Sequence, residues 1–276
     1  MAIGSLKEAL GLLRHPITWS VGLIAGGFIF AGAAIAILGE VFYSEPLALL
    51  LSLVVPFFAG GIYGAVRSGT FSVDVFVESG KTYYFKILLP GLVIFFATLL
   101  TIFLLAIPLT LLGAGAATSV APLTFGVLIS IVFFTFFYDT VAVFEETNVF
   151  ESIRRSIEFV MNNLGRTLLF YLVNFFVFIV LWFAGSFAWT ILLADKLEAL
   201  TSMDPADIQG LMPQDILALV GTDGLWVIAG VTAVVVVLFS AFMYAYKVSF
   251  FQNHSAAGST RIPQGVYDEK GRWYKY

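Results

Sequence analysis

The chain has 276 residues, 60% of them hydrophobic and 12% charged, with a formal net charge of −4. A soluble domain carries about 25% charged residues, so this apolar excess is too large for one globular core and excludes an ordinary soluble fold. The sequence has no cysteine, which excludes disulfides, thiolate-bound zinc, iron–sulfur clusters and thiol nucleophiles, and its acidic balance argues against a nucleic-acid partner.

A helix that crosses about 30 Å of hydrocarbon needs roughly 20 mostly apolar residues. Runs of that kind occupy 17–39, 47–66, 87–113, 121–144, 167–194 and 225–251. They are apolar on every side, unlike the short alternating strands of a membrane barrel. The expected fold is all-α: a polytopic bundle of six transmembrane helices over residues 1–251, with cytoplasmic interfacial helices and a cytoplasmic tail at 252–276. Ala31-Gly32-Ala33 imitates a signal-peptide cleavage site, but the apolar run continues through Leu38, so the first span is read as retained.

Before span one, Ser5 with Glu8 three residues on forms a capping box, and Leu6, Ala9, Leu10 and Leu13 share one face. Gly22 and Gly26 in span one, and Gly60 and Gly64 in span two, have the small-residue spacing that lets helix backbones approach; spans one and two are expected to pack together on them. Between spans two and three, 71–79 is ambiguous. Val73, Val75 and Val77 alternate like a strand, whereas Ser72 is placed to cap a helix. Pro56 falls mid-span in the second run, and Pro90 and Pro108 lie nearer the ends of the third.

After span four, Asn148 is an N-cap with Glu151 three residues on. Phe150, Ile153, Ile157, Val160 and Met161 fall on one side of a helix opposite Glu151, Arg154, Arg155 and Glu158. Segments of this kind precede spans one, three and five, which suggests three units of interfacial helix plus hairpin. Two linkers, 40–46 and 114–120, are short. The third, 195–224, is long and acidic, with helix starts expected at Asp204-Pro205 and at Pro213 and a stop at Gly221. In the tail, 267–274 reads as a hairpin turning at Gly271.

Orientation follows from the basic residues. With the N-terminus cytoplasmic, Lys7, Arg14, Arg67, Lys81, Lys86, Arg154, Arg155, Arg166 and Lys247 and the four basic residues of the tail share one side, and Lys196 alone falls outside. Thirteen of 14 on one side is the asymmetry expected of a multi-pass protein of the cytoplasmic membrane with both termini inside.

Few residues within the spans carry chemistry. Asp139 is an acid inside a span, a costly position that marks a functional site or a structural pair. Lys247 and Arg67 lie near the same depth, and Asn174 in span five is placed to hydrogen-bond between helices. Arg154, Arg155 and Arg166 form a basic cluster suited to anionic lipid headgroups. His15 and His254 fall short of a metal ligand set, and no nucleophile–base arrangement is visible. No catalytic residue, metal or cofactor is therefore expected.

The stretch from Phe144-Glu145-Glu146 through Asn148-Val149-Phe150-Glu151-Ser152-Ile153-Arg154-Arg155-Ser156 to Asn162-Asn163 resembles a large group of uncharacterised six-helix polytopic membrane proteins. It is similar in particular to the membrane domain attached to some bacterial glycerophosphodiester phosphodiesterases. In those fusions catalysis belongs to a separate soluble barrel, so the resemblance implies a membrane domain without the enzyme activity.

The leading expectation is a non-enzymatic membrane protein that organises lipids or a partner protein through its cytoplasmic helices and tail. The alternative is a transporter or channel for a small solute or lipid that uses Asp139.

Overall fold

The structure is a computed structural model that describes residues 2–39, 44–111, 120–201, 212–258, 266–267 and 273–274. It is helical, and six of its helical stretches are long and apolar enough to cross a membrane: Pro16–Ile37, Pro46–Ser68, Val73–Pro108, Pro122–Phe144, Leu164–Leu192 and Leu219–Ser255. Six such helices, in the order and number read from the sequence, are those expected of a multi-pass membrane protein.

Helix α1 (Ala2–Leu12) lies ahead of a 3-10 turn (Pro16–Trp19) that leads into α2 (Ser20–Ile37). The Thr18 hydroxyl donates to the Leu12 and His15 carbonyls, so the exposed carbonyls at the end of α1 are satisfied within the corner. Ser5 is not an N-cap. The helix begins before it, and its buried hydroxyl accepts from the Asn253 side chain 3.1 Å away. Glu8 accepts from the same amide. The expected capping pair is thus a clasp between the first helix and the last.

Helix α3 (Ser44–Ser68) and α4 (Val73–Leu111) form a close hairpin. The ambiguous stretch is helical from Val73 on: the Ser72 hydroxyl accepts from the Val75 backbone N–H at 3.3 Å, and the helix runs unbroken into span three. Packing overrides the strand-like valine alternation, because Phe76 is buried against Phe57 and Phe58. The middle unit of the expected repeat is therefore the start of a membrane helix and not a separate one.

The glycine pairs also differ from expectation. A Cβ on Gly22 would strike the Val237 carbonyl, and one on Gly26 the Ala233 carbonyl, so span one closes on span six. Gly60 and Gly64 face Tyr83 and Ser79 on α4 instead. Spans one and two do touch, but their small residues serve other partners.

Span four is two helices, α5 (Val120–Thr135) and α6 (Tyr138–Phe144), separated by a turn at Phe136 and Phe137. Then follow α7 (Val149–Asn162), α8 (Leu164–Leu192), α9 (Ala194–Thr201) and α10 (Pro213–Gly258). Asn148 caps α7 as read, its side chain accepting from the Glu151 N–H at 3.1 Å. Helix α10 starts at Pro213 as read and is interrupted at Gly221, the expected stop, whose non-helical φ of +69° favours glycine. Asp204 and Pro205 lie outside the described residues. In the tail, Val266–Tyr267 pairs antiparallel with Trp273–Tyr274; Gly271 lies outside the described residues.

The buried core is concentrated at the basic end of the bundle. Phe137, Phe159, Phe170, Phe250 and Phe251 stack in one cluster, and Val21, Ile62, Tyr63, Ile87 and Val248 form a second. Toward the opposite end, Phe96, Phe103, Phe125, Phe176, Phe183 and Phe187 are exposed. That is the pattern of a bundle solvated there by lipid, whose tails are as apolar as the side chains.

Candidate functional site

The break in span four creates the site. Ending a helix inside a membrane frees backbone groups that have no water to bond. Ser156 on α7 takes up two of them: its hydroxyl accepts from the Phe137 N–H at 3.1 Å and donates to the Phe134 carbonyl at 2.9 Å. The Tyr171 hydroxyl donates to the Phe133 carbonyl at 3.2 Å, and the Thr140 hydroxyl to the Phe137 carbonyl at 2.7 Å.

Asp139 sits in the first turn of α6, just past this break. Its Oδ1 accepts from the Thr140 backbone N–H at 2.7 Å. Lys247 of α10 reaches both carboxylate oxygens, at 2.7 and 2.8 Å, and the Tyr63 hydroxyl of α3 donates to Oδ2 at 2.9 Å. Lys247 Nζ also lies 4.1 Å from the centre of the Phe136 ring. The charged side chains are 5% and 6% exposed. Taking two ions out of water is expensive, and only close pairing with further hydrogen bonds offsets it; all of those elements are present.

Of the residues the sequence singled out, Asp139 and Lys247 meet, and Arg67 and Asn174 do not join them. Arg67 lies at the basic end, donating to the Val143 carbonyl at 2.8 Å and the Tyr83 hydroxyl at 2.9 Å, and pairing with Glu146 at 2.6 Å. Asn174 donates along its own helix to the Phe170 carbonyl at 2.9 Å, and its buried Oδ1 has no partner among the described residues. It is not the interhelical bridge expected of it.

On α7, Ser152, Ser156, Phe159 and Val160 are buried, whereas Phe150 and Met161 are exposed. The expected apolar stripe is therefore split: the helix docks through serines, and part of the stripe faces outward. Glu151 accepts from Arg154 at 2.7 Å and from Arg155 at 2.8 Å, and Arg154 also approaches Glu158 at 3.7 Å. Hydrogen bonds from the two guanidiniums hold the Glu151 carboxyl below its ordinary value. Arg166 makes one longer contact, 3.4 Å to Asn163 Oδ1. The basic cluster is thus largely engaged. His15 stacks on Phe71 with centroids 3.8 Å apart, and His254 bonds the Phe250 carbonyl at 2.8 Å. Among the described residues no metal-binding group of three or more ligands occurs.

Sequence reasoning missed the tyrosines. Tyr63 lies four residues before Arg67, and Tyr244 three before Lys247, so each shares a helix face with a basic residue that was noticed. Tyr138 and Tyr244 also line a cavity of about 340 Å³ that runs along α3 from Ala48 past Leu51, Ser52 and Val55 to Ala59, with Asp139 at its floor. The eleven helical steps from Ala48 to Ala59 make it about 16 Å long at 1.5 Å per residue. A larger cleft of about 460 Å³ between α8 and α10 has no titratable side chain in its lining.

Residues 1–254 match the family described as Domain of unknown function (DUF7847), and the chain belongs to that family. No curated protein and no solved structure matches it. Nothing in these comparisons links the chain to the membrane domains of glycerophosphodiester phosphodiesterases, so the sequence resemblance stops at the six-helix layout.

Proposed function

We propose that this member of the DUF7847 family is a non-enzymatic carrier that takes a small solute or lipid into the bundle beside Asp139. The cavity carries this reading: it brings an intramembrane carboxylate to the floor of a recess whose other end is open at Ala48 and Ser52. A discontinuous helix with a charged group at the start of its second half is a recurrent way to build such a site. In this reading the basic end faces the cytoplasm, the protein sits in the cytoplasmic membrane, and the recess opens toward the outer leaflet.

The test is flux through proteoliposomes holding the purified full chain, assayed with a fluorescent phospholipid and with small solutes. Ser52→Trp fills the recess without touching the ion pair and should slow movement on the order of tenfold. Asp139→Asn should abolish it. Wild-type rates in both variants would sink the proposal.

The organising role keeps one observation in its favour. Phe150 and Met161 on α7 are 73% and 65% exposed, beside Arg154 and Arg155, a surface suited to lipid or to a protein partner. Native mass spectrometry of the chain extracted from its own membrane tests it. A retained partner or lipid that is lost on Phe150→Ser with Met161→Ser would favour this role; a bare chain would count against it.

A further inference from the structure

Resting on the carrier reading above, we infer that the cavity takes a neutral amphiphile, whose uncharged hydroxyl-bearing head meets Tyr138, Tyr244 and the edge of Asp139 while its chain lies along α3. Three observations on the recess lead there.

The charge of the floor is already cancelled. Both oxygens of Asp139 face Lys247, and the pair is neutral overall wherever its proton resides. Lys247 itself is not among the lining residues; it lies over the Phe136 ring. An anionic head would meet a carboxylate and no cation, whereas a cationic head would compete with an ammonium already bound to both oxygens. Either would add an uncompensated charge to a buried site.

The second observation is unused hydrogen-bonding capacity. The Tyr138 and Tyr244 hydroxyls belong to residues that line the recess, and neither has a hydrogen-bond partner among the described residues. A phenol both donates and accepts, so two of them beside a carboxylate edge complement an alcohol or an ester carbonyl. Both tyrosines are half-buried, so a head that enters the recess can reach them.

The third is the wall. Leu51, Val55 and Ile87 present apolar surface between the open end and the tyrosines. The volume is in the range of small-ligand sites and suits a head with part of a chain, the remainder leaving past Ala48 into the bilayer.

The experiment uses the purified full chain and three single-chain probes that share one tail: 1-oleoylglycerol, 1-oleoyl lysophosphatidate and oleoylcholine. Binding is read by native mass spectrometry over a concentration series. The neutral probe should bind at least tenfold more tightly than either charged one, and Tyr138→Phe and Tyr244→Phe should each weaken it about fivefold, the worth of one hydrogen bond. Unchanged thermal midpoints in the two Phe variants would show that the loss is local. A charged probe binding as well, or tyrosine variants binding like wild type, would overturn the head-group assignment and leave the cavity reading standing. No binding by any probe, with Ser52→Trp indistinguishable from wild type, would overturn both.

Discussion

Replacing Asp139 by Asn preserves the shape of the side chain and removes the charge that Lys247 faces. A buried ammonium without its counter-ion is strongly destabilising, so Asp139→Asn or Lys247→Met alone should cost about 3–5 kcal/mol, whereas Asp139→Leu with Lys247→Met strands no charge and should recover most of that loss. Unfolding of detergent-purified protein measures all three; a double variant no better than the worse single one would refute the coupling. Tyr63→Phe removes one hydrogen bond to a charged group and should cost about 1.5–3 kcal/mol on the same assay. Ser156→Ala tests the break itself. It leaves the Phe137 N–H and the Phe134 carbonyl unpaired where no water replaces the hydroxyl, and should cost roughly 1–3 kcal/mol.

The helices themselves were legible because each membrane span is a long apolar run, a signal that neighbouring packing barely alters. Partners were less so. Gly22 and Gly26 were recognised as a close-contact face, but spacing within one helix holds no information about which other helix fills it; the answer, α10, lies more than 200 residues away in the chain. Gly22→Ala should therefore cost about 1–3 kcal/mol, since its methyl group meets the Val237 backbone and not a side chain that can turn aside. Gly27→Ala, which meets open space, is the control, and equal melting of the two variants would contradict the packing. Of the site, Asp139 and Lys247 were readable as intramembrane charges. The tyrosines were not, because in a chain with 11 Tyr and 29 Phe one more aromatic carries no mark. Helix α7 was read correctly at its cap, and its expected apolar stripe is part buried (Val160) and part exposed (Phe150, Met161). Ser156 is polar yet buried because the broken helix takes both hydrogen bonds of its hydroxyl, while the buried Ser152 hydroxyl donates within α7 to the Val149 carbonyl. On that helix the Glu151 carboxyl is held below its ordinary 4.5 by Arg154 and Arg155, so the unfolded chain binds more protons and the pairing contributes stability that is present above pH 4.5. That contribution is lost as the pH falls below 4.5 through the folded value. Wild type and Glu151→Gln should differ in melting temperature at pH 7 and converge in acid; a gap that is constant with pH would exclude the ion pairs as its cause.

Two independent features of the whole molecule constrain its orientation in the membrane. Thirteen of 14 basic residues fall on one side of a six-span layout, and an extra or missing span would scatter them. The clasp of Asn253 with Ser5 and Glu8 brings the start of α1 and the end of α10 to the same end of the bundle, which requires an even number of crossings and owes nothing to charge counting. Charge supplies the direction: basic segments are retained in the cytoplasm, so the end with Arg67, Arg154 and the clasp should lie inside and the α9 end outside. The cysteine-free sequence makes this directly measurable. Single cysteines at the exposed positions Ser68, Glu158 and Asp195 report on the two ends when intact cells are treated with a membrane-impermeant maleimide. Asp195→Cys should label in intact cells, and Ser68→Cys and Glu158→Cys only after the membrane is opened. The reverse pattern would invert the bundle, turning the Asp139 recess toward the inner leaflet, and a carrier would then load its cargo from the cytoplasmic side. Labelling of Ser68→Cys and Glu158→Cys from opposite sides would be incompatible with the fold, since both lie at the basic end.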